Sequence, residues 1–128
     1  MNGELLSNSL SSEGALYISE GIKDLRDLTS LNLVLCSNNI CNQGAKYIME
    51  GIKELKKLTH LNLNLRINSL SVEGAQFISK GIKKQYNLTN LCLDLSSNSI
   101  SAQGTQYIIE VINELKNLKN LNLDIRID

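Results

Sequence analysis

Thirty residues separate Leu31 from Leu61, Leu61 from Leu91 and Leu91 from Leu121, and the same step carries Asn8 to Asn38, Asn68 and Asn98. The register is unbroken. Gly14, Gly44, Gly74 and Gly104 keep it, as do Ile18, Ile48, Ile78 and Ile108 and an aromatic column of Tyr17, Tyr47, Phe77 and Tyr107. A chain that repeats itself at this period is built from units that cannot bury their apolar faces alone, and stacking them side by side completes a continuous core. The reading is one solenoid over residues 1–128, with a partial first unit 1–27, units beginning at 28, 58 and 88, and a partial last unit 118–128.

Within a unit the hydrophobic period changes, which assigns the elements. Leu31, Leu33 and Leu35 alternate with Asn32, Val34 and Cys36, the period of two that lines one face of a strand. From Asn42 onward Ala45, Ile48, Ile52 and Leu55 fall at helical intervals. Strands that recur in one direction with a helix between them must pair in parallel, because a tight hairpin cannot connect them. Ser11, Ser71 and Ser101 stand where a helix N-cap is wanted, with Cys41 as a weaker substitute. The recurring helix glycines cost about 0.5–1 kcal/mol each against alanine, so they imply close approach of a neighbouring backbone or a tyrosine ring. The aromatic column, in phase with the core, reads as packing between units. In the third helix Gln85 stands where Leu25, Leu55 and Leu115 stand elsewhere, and Tyr86 is placed to fill the gap. The asparagine column is the sharpest signal. An amide that donates and accepts at a buried bend satisfies backbone groups, and stacked asparagines would form a ladder along the chain.

The pattern L-x-x-L-x-L-x-L-x-x-N-x-I at Leu28 to Ile40, followed by x-x-x-G-A and a full helix, resembles the leucine-rich repeat, and its length and helix resemble the ribonuclease-inhibitor-like class. The resemblance covers the whole chain. That family's usual core is L-x-x-L-x-L-x-x-N-x-L, so an extra pair, Val34-Leu35 in the second unit, lengthens the strand here and changes the ratio of inner to outer arc. The resemblance implies an α/β solenoid with a curved parallel sheet on the inner face and helices on the outer face. It also implies that the inner sheet face grips a protein partner. Carried onto this chain, that role falls to Asn32, Val34, Asn62, Asn64, Arg66, Asp94, Ser96, Asn122, Asp124 and Arg126, the polar-face positions, with Cys36 and Cys92 completing the pattern. These residues vary between units while the leucines do not.

Composition narrows the alternatives. The chain has 13 basic and 13 acidic residues, so neither nucleic acid nor an anionic membrane is the expected partner. No apolar run reaches membrane length, and the first residues fit the repeat rather than a signal peptide. The three cysteines, Cys36, Cys41 and Cys92, form an odd set in unrelated columns and read as reduced thiols of a cytoplasmic protein. Catalysis finds no residues: His60 is the only histidine, no closed zinc site or phosphate-binding glycine motif is present, and no nucleophile–base pair stands out. Neither a catalytic role nor a cofactor is expected. The helix charges, including Glu20, Lys23, Glu50, Lys53, Lys56, Lys57, Lys83 and Lys84, read as a solvated outer face. The expected function is a non-catalytic protein-interaction module. Its alternative is an architectural or spacer segment of a longer protein, or a solenoid whose copies stack end to end through strands left open near Met1 and Asp128.

Overall fold

The computed structural model describes residues 1–4 and 9–126; Leu5, Asn8 and Asp128, to which the repeat register assigns strand and bend positions, lie outside them. Nine elements alternate: β1 (Asn2–Glu4), α1 (Ser11–Ile22), β2 (Ser30–Val34), α2 (Cys41–Ile52), β3 (His60–Asn64), α3 (Val72–Lys83), β4 (Asn90–Asp94), α4 (Ser101–Asn113) and β5 (Asn120–Asp124). The strands form one sheet in the order β1-β2-β3-β4-β5, with every pair parallel. Pairing follows the thirty-residue step, Leu31 to Leu61 to Leu91 to Leu121. The helices pack in the same order, each against the next, on one side of the sheet.

Between sheet and helices lies a core of leucine and isoleucine. Leu31, Leu33, Leu61, Leu63, Leu91 and Leu93 meet Ala45, Ile48, Ile52, Ala75, Ile78 and Ile82 there, all buried. Burying one such side chain contributes about 1.5–3 kcal/mol, so these columns dominate the favourable side of folding. The added strand residues join the sheet rather than bulging from it. Leu35 N–H donates to Asn64 O at 2.9 Å, Leu65 to Asp94 O at 2.8 Å and Leu95 to Asp124 O at 2.7 Å, and Leu35, Leu65 and Leu95 are fully buried. Ser37 N–H to Arg66 O and Ser97 N–H to Arg126 O carry the ladder one step further.

At that point the chain turns through the left-handed region, with φ of 60° at Ser37, 55° at Ile67 and 55° at Ser97. The asparagine that follows does what the sequence implies. Asn68 Oδ1 accepts from Asn38 N–H at 3.0 Å and Ile40 N–H at 3.1 Å in the preceding unit, while its Nδ2 donates to Leu35 O and Arg66 O. Asn98 repeats the pattern one unit on, accepting from Asn68 and Leu70 N–H and donating to Leu65, Leu95 and Ser96 carbonyls. Each amide therefore serves two bends, and the ladder ties consecutive units through backbone groups that a buried turn would otherwise leave unpaired.

The helices depart from the sequence reading at their caps and at Tyr86. Ser71 stands at the N-cap of α3 in extended backbone, as expected, whereas Ser11, Cys41 and Ser101 are themselves the first helical residues, at positive φ; among the described residues no helix carries a side-chain N-cap hydrogen bond. The N–H groups of Ser11 and Cys41 instead reach across to the carbonyls of Asn38 and Asn68 at 2.8 Å. The Ser71 backbone N–H donates to Asn42 Oδ1 at 2.9 Å, from the first turn of α2. Of the two neighbours expected at the glycines, a backbone is the one found, at Gly51. A Cβ on Gly51 would meet the Ser19 backbone at 3.0 Å, and one on Gly81 would meet Met49 Cε at 2.5 Å, whereas Gly21 faces open space. Tyr17 is 63% exposed, while Tyr47, Phe77 and Tyr107 are half-buried, and Lys46 of α2 reaches the Phe77 ring of α3 across the unit boundary. Tyr86 is likewise exposed at 67%, and Gln85 is itself buried, its Nε2 donating to Ile52 O at 2.8 Å.

Candidate functional site

Because side chains alternate along a strand, burying the leucines against the helices forces the residues between them onto the uncovered side of the sheet. Seven of the ten residues named from the sequence, Asn32, Val34, Asn62, Asn64, Asp94, Asn122 and Asp124, lie on the paired strands between the leucines, and pairing sorts them into rows. One row is Asn32, Asn62, Cys92 and Asn122; the next is Val34, Asn64, Asp94 and Asp124. Arg66, Ser96 and Arg126 follow two residues on, in the continued ladder.

The rows differ in chemistry. In the second, the side chain bonds its own strand end: Asn64 Oδ1 accepts from Arg66 N–H at 3.0 Å, Asp94 Oδ1 from Ser96 N–H at 2.9 Å and Asp124 Oδ1 from Arg126 N–H at 3.1 Å. Val34, in the same row, has no oxygen to offer. Ser96 is drawn inward, 2% exposed, with its hydroxyl donating to Asp94 Oδ1 at 2.6 Å. Its hydroxyl proton is therefore occupied within the chain. Arg126 grips Asp124 with two bonds, Nε to Oδ1 at 3.0 Å and Nη2 to Oδ2 at 2.7 Å. These bonds and the nearby Arg66 charge hold the Asp124 carboxyl below its ordinary value. Arg66 is exposed and, unlike Arg126, makes no ion pair among the described residues. Burial, with the Asp94 charge adding to it, pushes the Cys92 thiol up.

The sequence reading missed a further row. Ser30, His60, Asn90 and Asn120 begin the strands, and with Lys119 and the Asn32 row they line a hollow of about 640 Å³. Extending the two-residue alternation back by one step would have found it. His60 is the first residue of β3 and is exposed, its Nδ1 2.9 Å from Thr59 Oγ1. Among the described residues no group of three His, Cys, Asp or Glu side chains is arranged to hold a metal, and no helix is long and apolar enough to cross a membrane.

No protein-family model and no curated protein sequence matches this chain. Its architecture, however, has a counterpart among solved structures. The fold resembles that of leiomodin-1 actin-binding site 2. The two superpose with a TM-score of 0.72 over 96% of this chain and 70% of the other, at 17% sequence identity. At that identity the likeness concerns the fold. Parallel strands backed by helices, in a form shared with leiomodin-1 actin-binding site 2, are compatible with the leucine-rich repeat that the sequence resembles.

Proposed function

We propose that this protein is a non-catalytic interaction module, a leucine-rich repeat solenoid of the ribonuclease-inhibitor-like class that binds a protein partner across the uncovered sheet face. The observation that carries this reading is the face itself. Five strands, fixed in register by the leucine core and the asparagine ladder, present a rigid surface on which amides and charges differ from unit to unit. A scaffold whose outward residues vary while its spine does not is suited to selective contact. The leiomodin-1 segment is named for binding actin, which supports a protein as the partner class.

Asn62 and Asn122 make no side-chain hydrogen bond among the described residues, and together with Arg66 they are the contacts we assign to the partner. Asn32, Asn64, Asp94, Asp124 and Arg126 shape the surface around them. The face lacks tryptophan and tyrosine, so affinity is distributed over polar contacts rather than concentrated in one anchor. Filamentous actin is the first defined probe. Co-sedimentation, followed by affinity capture with other candidates, is compared for the wild type and for Arg66→Glu combined with Asn62→Lys. Loss of the partner by a variant that keeps the wild-type melting curve supports the reading. Equal capture of every partner by both proteins removes the sheet face from consideration and favours a spacer role.

A further inference from the structure

On the opposite side of the molecule, α2 and α3 enclose a groove of about 370 Å³ whose walls carry Lys46, Lys53, Lys80 and Lys84 and whose apolar surface includes Met49 and Phe77. One acidic residue, Glu50, lies among them. None of the four lysines is in an ion pair among the described residues; Lys46 instead sits with its Nζ 5.7 Å from the centroid of the Phe77 ring. Met49 lies across α3 because Gly81 has no side chain to hold it off.

The charge of this groove departs from the repeat. At the position of Lys80 the other units carry Glu20, Glu50 and Glu110, and at the position of Lys84 they carry Asp24, Glu54 and Glu114. Only α3 reverses both signs. The reversal sets two lysines four residues apart, at the end of a helix that also carries Lys83, and like charges at that spacing weaken a helix. Two charge pairs join neighbouring units elsewhere, Arg26 with Glu54 at 3.9 Å and Lys57 with Asp27 at 2.7 Å. Among the described residues no carboxylate pairs with the groove's lysines in that way.

We infer that the groove between α2 and α3 binds an acidic peptide segment, seating an apolar side chain against Met49 and Phe77 while its carboxylates meet Lys46, Lys53, Lys80 and Lys84. The apolar floor between two rows of ammonium groups favours a peptide over a polyphosphate backbone, which has no apolar group to place there, and Glu50 would repel a continuous line of phosphates. A membrane surface fits poorly, because the apolar atoms are recessed below the lysines rather than projecting beyond them. This site is separate from the sheet face and does not depend on the function proposed for it.

The test uses a short fluorescein-labelled peptide of glutamates around one central leucine, read by fluorescence anisotropy at low salt. The Lys80→Glu, Lys84→Glu double variant restores the signs found in the other three units and is expected to keep the fold, which a circular dichroism melt matching the wild type verifies. The expected result is saturable binding by the wild type, weakened about tenfold or more in the double variant and by added salt, and unchanged in Arg66→Glu on the sheet face. A wild type that does not bind the peptide overturns the proposal. So does equal binding by the double variant, or equal affinity for an all-glutamate peptide without the leucine. Preference for phosphatidylserine vesicles or a single-stranded oligonucleotide over the peptide would overturn it as well.

Discussion

Ile67 and Asn68 are neighbours with opposite effects on stability. Ile67 holds φ at 55° and is 44% exposed, so a β-branched side chain takes a left-handed conformation and gains little burial in return. Such a residue stores about 1–2 kcal/mol that asparagine, which tolerates this region, largely avoids. Ile67→Asn is therefore expected to stabilise the protein by about 1 kcal/mol, read as a higher urea midpoint at unchanged slope. Asn68→Ala works the other way. It removes the acceptor shared by the N–H groups of Asn38 and Ile40 and the donor that meets Leu35 O. With buried groups left unpaired, the loss is expected to be about 3 kcal/mol, and coincident melts of Asn68→Ala and wild type would contradict the ladder's role.

At the scale of elements, helix spacing is set by which glycines are approached. Gly51 is buried against the Ser19 backbone of the preceding helix, while Gly21, its counterpart one unit earlier, has nothing within 4 Å of where a Cβ would stand. Alanine at position 21 should therefore stabilise by about 0.5–1 kcal/mol, through helix propensity alone. Alanine at position 51 should destabilise, because α1 and α2 must part to admit it. Thermal unfolding of the two single variants reads both signs. The glycine column is visible in the sequence, but which members are approached is not, since that depends on whether another helix packs over them. The same limit explains the other departures. Strands and helices were legible because leucine spacing responds directly to burial. The serines looked like caps because cap residues are recognised by type, yet here the backbone around them is satisfied across units, by Asn38 O, Asn68 O and Asn42 Oδ1. The aromatic column shares the core's period but stands beside it, half-buried or exposed. On the sheet face the positions of the seven strand residues followed from alternation; that Asn64, Asp94 and Asp124 fold back on their own strand ends, and that Ser96 turns inward, did not, because a strand-end hydrogen bond leaves no periodic trace.

For the molecule as a whole, repeats that touch only their neighbours make stability a sum of units and junctions, so a charge pair between units acts on cooperativity as well as on its own loop. Lys57 Nζ meets Asp27 Oδ1 at 2.7 Å across one such junction, and the Lys57 hydrogen bond and charge hold the Asp27 carboxyl below its ordinary value. A carboxyl whose folded pKa lies below its unfolded one, near about 3.9, favours folding while it is ionised. The contribution is whole above that unfolded value and disappears as pH falls through the lower, folded one. Both partners are exposed, so the effect is small and screened by salt. Asp124, held down chiefly by Arg126, follows the same sign. Acid also removes the negative half of a balanced chain, leaving 13 lysines and arginines together with His60 to repel one another, most closely along the lysine-lined groove of α2 and α3. Asp27→Asn should accordingly lower the denaturation midpoint slightly at neutral pH and at low salt, with the difference from wild type vanishing near pH 2. A difference that persisted in acid would place the effect of the substitution in loop packing rather than in the charge pair.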